Sequence, residues 1–143
     1  MVFSFASPGD ETRIKDLLNS CGLPYQDIDA LNLSHFLVLQ DEAGLAGVIG
    51  LEPFGRDALL RSLAVRAGDR NRRLASQLVT GAEEYARSLG VRDLYLLTMT
   101  AADLFTRRGY ENISRDSAPA LIQETTEFRG LCPVSSVCMV RHL

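Results

Sequence analysis

The spacing of apolar and polar positions changes several times along the chain, and each change predicts an element. Residues 2–6 read as a short first strand. Ser7-Pro8-Gly9-Asp10 then carries helix-start chemistry, with Ser7 as N-cap, Pro8 in the first turn and Asp10 able to reach back. Ile14, Leu17, Leu18 and Cys21 fall on one helical face, and Gly22 with Pro24 ends that run. Residues 25–31 suggest a further short helix. From His35 the pattern becomes β-like: a run at 35–40, turn chemistry at Asp41-Glu42-Ala43-Gly44, a second run at 45–51, a break at 53–57 containing Pro and Gly, and a third run at 58–65. Two hairpins in series predict an antiparallel meander.

The period next becomes helical. Leu74, Leu78, Val79, Ala82, Ala86 and Leu89 recur at helical spacings, and Gly90 stands where a C′ glycine belongs. Residues 91–98 are nearly continuously apolar, which predicts a central strand covered on both faces. A short helix at 101–108 closed by Gly109, a strand at 110–115, a helix opened by Ser117-Ala118-Pro119 and a last strand at 134–141 complete the order. In that last helix Leu121, Ile122, Thr125 and Phe128 are expected to face inward, with Gly130 at its end. The predicted order is β-α-(α)-β-β-β-α-β-α-β-α-β, an α/β (α+β) mixed sheet in which the helix after the meander must cross over to a parallel strand. No repeat or linker interrupts residues 1–143, so a single domain is expected.

Composition narrows the function classes. Apolar and charged fractions of 46% and 23% are those of a globular chain. A net charge of −3 gives no basis for non-specific nucleic-acid binding, so any basic site must be local. No apolar run reaches the length of a bilayer span, and the first ten residues lack a basic leader, which together predict a chain without a membrane segment or signal peptide. Three cysteines without a framework favour reduced thiols and a cytoplasmic location.

The local basic site lies at residues 65–75, Val-Arg-Ala-Gly-Asp-Arg-Asn-Arg-Arg-Leu-Ala, where four arginines cluster at the start of the longest helix. A helix N-terminus has unsatisfied N–H groups and a positive dipole end, so cations gather there unfavourably unless an anion balances them. Together these features predict a site for phosphate or pyrophosphate. The alternative is a solvated basic cap.

At this turn the sequence resembles the GNAT N-acetyltransferase superfamily. The resemblance runs from His35 onward and rests on Leu63-Ala64-Val65, the arginine-rich turn, the helix beginning at Leu74, and Leu104-Phe105-Thr106-Arg107-Arg108-Gly109-Tyr110. The family's turn has the pattern Arg/Gln-x-x-Gly-x-Gly/Ala and grips the pyrophosphate of acetyl-CoA through backbone amides. Arg70 matches its first position and Ala75 its last, whereas Arg73 replaces the usual glycine and Asn71 another common one. An arginine at 73 could add a charge-assisted contact or block close approach; retained but altered binding is the expectation.

The resemblance implies acetyl-CoA as cosubstrate, bound by Leu63, Ala64, Val65, Arg70, Asn71, Arg72, Arg73, Leu74, Ala75 and Phe105. It also implies a backbone N–H near residues 63–65 that bonds the thioester carbonyl. The family's general-acid tyrosine is absent, with Phe105 in its place. Tyr95 and Tyr110 read as packed residues; Glu52, at the end of the second meander strand, is the best-placed carboxylate for a base but reads more readily as an exposed hairpin residue, so no catalytic side chain is assigned.

Blocks at 58–63, 94–98, 101–105 and 131–140 look like the arsenic-resistance branch, which implies an amino-acid-like or arsenical amine as acceptor. Arg61 interrupts an apolar strand, where a charge is unfavourable unless paired or facing a cleft. It is therefore either a solvated edge residue or a receiver of a substrate carboxylate, with Ser62 and Thr98 as secondary contacts. Cys132 and Cys138 read as small core residues, and His35 and His142 show no metal-ligand spacing. The helix at 119–128 could wall the acceptor side or form a homodimer surface. A catalytically silent protein of the same fold, binding a ligand or partner, is the competing reading.

Overall fold

In a computed structural model the described residues are 1–69 and 73–143. They form β1 (Val2–Phe5), α1 (Glu11–Ser20), β2 (Phe36–Asp41), β3 (Gly44–Phe54), β4 (Asp57–Val65), α2 (Leu74–Ser88), β5 (Asp93–Thr98), α3 (Ala102–Arg107), β6 (Glu111–Ile113), α4 (Ala120–Gln123) and β7 (Val137–His142). Among these residues the strands make a seven-stranded sheet in the order β1-β2-β3-β4-β5-β7-β6. β1 pairs antiparallel with β2, and β2 with β3, with a register shift at Leu39/Gln40. The predicted crossover is present: β4 pairs parallel with β5 from Asp57↔Asp93 to Leu59↔Tyr95. β5 pairs antiparallel with β7 along its length, Asp93↔His142 to Thr98↔Val137.

The chain divides into two compact, interleaved units, residues 1–52 with 61–84 and residues 53–60 with 85–143. In the first unit Ile14 and Leu18 of α1 pack with Ile28, Leu33, Phe36, Val38, Val48 and Ala64. α1 is entered as its sequence predicts. The Asp10 carboxylate accepts from the Ser7 amide at 2.8 Å, through a 3-10 turn at Pro8–Asp10. Gly50 has no side chain because a Cβ there would lie 2.4 Å from the ring of Phe36, its cross-strand partner. In the second unit the core joins Leu59, Tyr95, Ala118, Ile122 and Val140.

Several boundaries differ from the expected ones. Residues 25–31 form turns instead of a helix, because side chains capture the backbone. The Asp29 carboxylate accepts from the amides of Leu31 and Asn32 at 3.0 and 2.9 Å, and a 3-10 turn follows at Asn32–His35. The expected helix after Pro119 splits into α4 and a π turn at Glu127–Leu131. Ile122 and Thr125 are buried as expected, but Leu121 is 55% exposed. Leu89 lies beyond the end of α2 and is exposed. Val134 is exposed and precedes β7.

Candidate functional site

β4 carries the first special conformation. Its Ser62 has φ +59°, a left-handed backbone that L-residues with a side chain seldom adopt. The residues on either side show the effect: Ala58, Leu59, Leu60 and Arg61 are buried in succession, Ser62 and Leu63 are half-buried, and Ala64 and Val65 are buried again. This breaks the simple alternation of a strand.

Arg61 is not the solvated edge residue that was one of its two expected environments. Its side chain is fully buried, and its guanidinium forms a two-point ion pair with Asp27. Within that pair Nη2 donates to Asp27 Oδ1 at 2.7 Å. Nη1 also donates to Glu52 Oε2 at 3.1 Å, and Nε donates to Ser62 Oγ at 2.9 Å. The guanidinium stands 5.9 Å from the centre of the Phe36 ring. Sequence reasoning identified the charge in the strand and missed its partners. Asp27 lies 34 residues away in a segment read as helix, and Glu52 was read as exposed when it is half-buried and ion-paired. The signal available was the charge itself, since a buried guanidinium requires carboxylates.

Beyond Val65 the chain makes a 3-10 turn at Ala67–Asp69. The Arg66 amide donates to the Ala46 carbonyl at 2.7 Å, and the Asp69 amide to the Arg66 carbonyl at 2.9 Å. Arg66 is one of the four arginines of this turn, and it has partners of its own. Its guanidinium is engaged by Asp41 and Asp69. Arg66 thereby holds the Asp41 carboxyl down to about 2, and Asp41 in turn raises the guanidinium further above its ordinary value.

Arg70, Asn71 and Arg72 lie outside the described residues. Arg73 immediately precedes α2, is exposed, and has φ +59°. Its carbonyl accepts the Gln77 amide at 3.2 Å, so it is the last residue before the helical backbone. The left-handed angle gives a physical reason for glycine in the family pattern at this position. Leu74 is buried, Ala75 half-buried, and the first turn of α2 contains no acidic side chain. The positive end of this fifteen-residue helix meets no carboxylate from its own first turn, which favours an external anion such as a pyrophosphate.

The remaining candidate residues belong to the second unit. The Thr98 hydroxyl accepts the Ala101 amide at 3.0 Å and so fixes the turn after β5. Phe105 is buried in α3 and meets Tyr110 edge-on, with ring centres 5.1 Å apart. Tyr95 and Tyr110 are buried, matching their reading as packed residues. Cys138 is buried, which raises its thiol above the ordinary value, and the three cysteines form no disulfide. Among the described residues there is no cluster suited to a metal ion and no helix long and apolar enough to cross a membrane.

An antiparallel meander, a left-handed residue opening a crossover helix, and a parallel partner strand define an acyl-CoA N-acyltransferase fold. Residues 32–112, more than half of the chain, match the acetyltransferase (GNAT) domain family. The chain belongs to the acetyltransferase (GNAT) domain family.

Solved structures share the fold. N-acetylglutamate synthase from Neisseria gonorrhoeae, complexed with coenzyme A and N-acetyl-glutamate, is 24% identical with a TM-score of 0.85; the match covers 99% of this chain and 35% of that one. The chain therefore spans about a third of the length of that enzyme. A Mycobacterium tuberculosis protein in complex with CoA is 17% identical, with a TM-score of 0.82 over 100% of this chain and 99% of that one. An aminoglycoside 6'-N-acetyltransferase complexed with coenzyme A is 17% identical, with a TM-score of 0.71 over 99% and 97%.

Proposed function

We propose that this chain is an acetyl-CoA-dependent N-acetyltransferase that acylates a small amine by direct transfer in a ternary complex. The observation that carries this reading is the start of α2. A left-handed Arg73 stands where the family has glycine, ahead of a first turn without acidic residues. The amides there, with Arg73 and the neighbouring Arg70 and Arg72, are assigned to the cofactor diphosphate. Ser62 redirects β4 immediately before Leu63, Ala64 and Val65, and a backbone N–H of that stretch is assigned to the thioester carbonyl. Such a donor stabilises the oxyanion that forms as the amine attacks, before the CoA thiol leaves.

The acceptor side is assigned to Arg61 and Ser62 together with Asp27 and Glu52. One guanidinium against two carboxylates leaves one negative charge in excess, and both carboxylates retain some exposure. That balance favours an acceptor presented as an ammonium and argues against Arg61 as the receiver of a substrate carboxylate. The sequence blocks that resemble the arsenic-resistance branch support including arsenical amino-acid analogues among the acceptors. Cysteines without a disulfide suit a reducing compartment such as the cytoplasm.

Calorimetric titration with acetyl-CoA is the first test. Binding is expected with a Kd on the order of micromolar, in the range of ordinary enzyme–substrate affinities, and no detectable heat at millimolar cosubstrate would reject the proposal. A second reading, a silent acyl-CoA-binding protein, is favoured by Phe105, which is buried and has no acidic proton to return to the leaving thiol. A panel of amines with free-thiol release as readout separates the two readings: turnover on any acceptor excludes the silent one.

A further inference from the structure

We infer that Arg66 is a positioning residue of the cofactor site and not one of its anion ligands. It ties the β2–β3 hairpin turn to the turn that leads into α2. This inference rests on the acetyl-CoA reading above and concerns how that site is held in shape.

The geometry is a two-sided clamp. Toward the α2 entry, Nε donates to Asp69 Oδ2 at 2.7 Å, and Nη2 lies 2.6 Å from the same oxygen. Toward the hairpin, Nη1 donates to Asp41 Oδ1 at 3.2 Å and Nη2 to Asp41 Oδ2 at 2.7 Å. The backbone anchors the same residue through the Arg66 amide on the Ala46 carbonyl. A planar guanidinium that meets one carboxylate with two nitrogens and a second along its other edge is fixed in orientation, in a way that a lysine ammonium cannot reproduce.

Engagement sets Arg66 apart from the phosphate ligands: Nε, Nη1 and Nη2 already donate to Asp69 and Asp41. Asp69 is the decisive partner, because its side chain is only 7% exposed and sits at the last described position before residue 70. A buried carboxylate there is tolerated only while a cation is bonded to it. Removing the Arg66 guanidinium takes from Asp69 the two contacts that tie it to the hairpin side, beside the segment assigned to the pyrophosphate. The loss should therefore fall on the diphosphate part of the cofactor and spare its thioester arm.

The test compares two ligands. CoA carries the pyrophosphate; S-acetylpantetheine carries the thioester arm without it. Their Kd values are measured by calorimetry on the wild-type chain and on Arg66→Gln, Arg66→Lys and Asp41→Asn. Arg66→Gln should weaken CoA by roughly tenfold or more, the scale of a lost charge-assisted contact, while S-acetylpantetheine stays within about twofold. Arg66→Lys should restore part of the CoA affinity and Asp41→Asn should give an intermediate loss.

Unchanged CoA affinity in Arg66→Gln, or equal weakening of both ligands, overturns the inference. Should Arg66→Gln fail to fold, Asp41→Asn decides, because it keeps the Arg66–Asp69 contact and an unchanged CoA Kd in it also overturns the clamp. A wild-type chain that binds no CoA at all rejects the proposed function instead, so the two failures are distinguishable.

Discussion

Arg73 concentrates the tension between sequence and backbone in one residue. Its φ of +59° places a long β-carbon-bearing side chain in a conformation that costs about 1–2 kcal/mol for anything but glycine. The position is exposed, so no packing compensates. Arg73→Gly is accordingly expected to stabilise the fold by about 1 kcal/mol after the entropy of the added glycine is subtracted. Chemical denaturation would read this as a higher midpoint with an unchanged slope. A midpoint that falls would show that the arginine side chain contributes more than its backbone strain removes. The departure from the family pattern was legible in the sequence. That it imposes a left-handed residue was not, because φ at the entrance of a helix depends on how the preceding turn is held in three dimensions.

At the scale of elements, Arg61 joins three separate pieces of chain: β4, the end of β3 through Glu52, and the α1–β2 connection through Asp27. The side chain is fully buried, so both carboxylates depend on it for charge balance. Arg61→Ala is expected to destabilise the protein by about 3–5 kcal/mol, the cost of breaking a buried ion pair from one side. Asp27→Asn should cost less, since Glu52 remains to balance the guanidinium. Urea unfolding of the two variants measures the difference, and equal losses would show that Glu52 carries none of the balance.

The same scale explains why the meander, the crossover helix and the parallel pair were readable while the segment after Pro119 was not. Long periodic runs such as Leu74–Ser88 bury a whole face and declare their period. The stretch 120–131 is divided between a four-residue helix and a π turn, held by Arg115, which donates to the carbonyls of Phe128 and Pro133 at 2.9 Å each. Contacts made by a distant arginine leave no local period to read.

Across the molecule, two ion pairs make stability depend on pH in opposite directions. Asp57, Asp93 and His142 stand in register on β4, β5 and β7. His142 Nδ1 lies 2.5 Å from Asp93 Oδ1, and that carboxylate raises the imidazole above its usual value. A raised histidine contributes stability that is fully present below its unfolded value, near 6.5, and is lost as pH rises through the folded value. Asp41 is held down to about 2 by Arg66. It contributes above the ordinary carboxylate range and loses that contribution only as pH falls toward 2.

NMR titration should therefore place the His142 transition above that of an unstructured histidine, and Asp93→Asn should remove the upward shift. Melting temperature should decline through the same interval in the wild type and flatten in the variant. An unshifted His142 would break the link between the pair and the pH profile.

The sequence by itself determined the order of the main elements, the mixed sheet with its crossover, and the start of the crossover helix at Leu74, because these rest on local periodicity and on residues adjacent along the chain. Tertiary structure alone decided where the charges go. Arg61 needed a carboxylate, and which one became visible only when residue 27 folded against β4. Arg66 counted as one more cation in a row until Asp41 and Asp69 closed on it. The reason is physical: burial and pairing are properties of three-dimensional neighbours, and a guanidinium bound to two carboxylates no longer acts as the free positive charge its sequence position advertises.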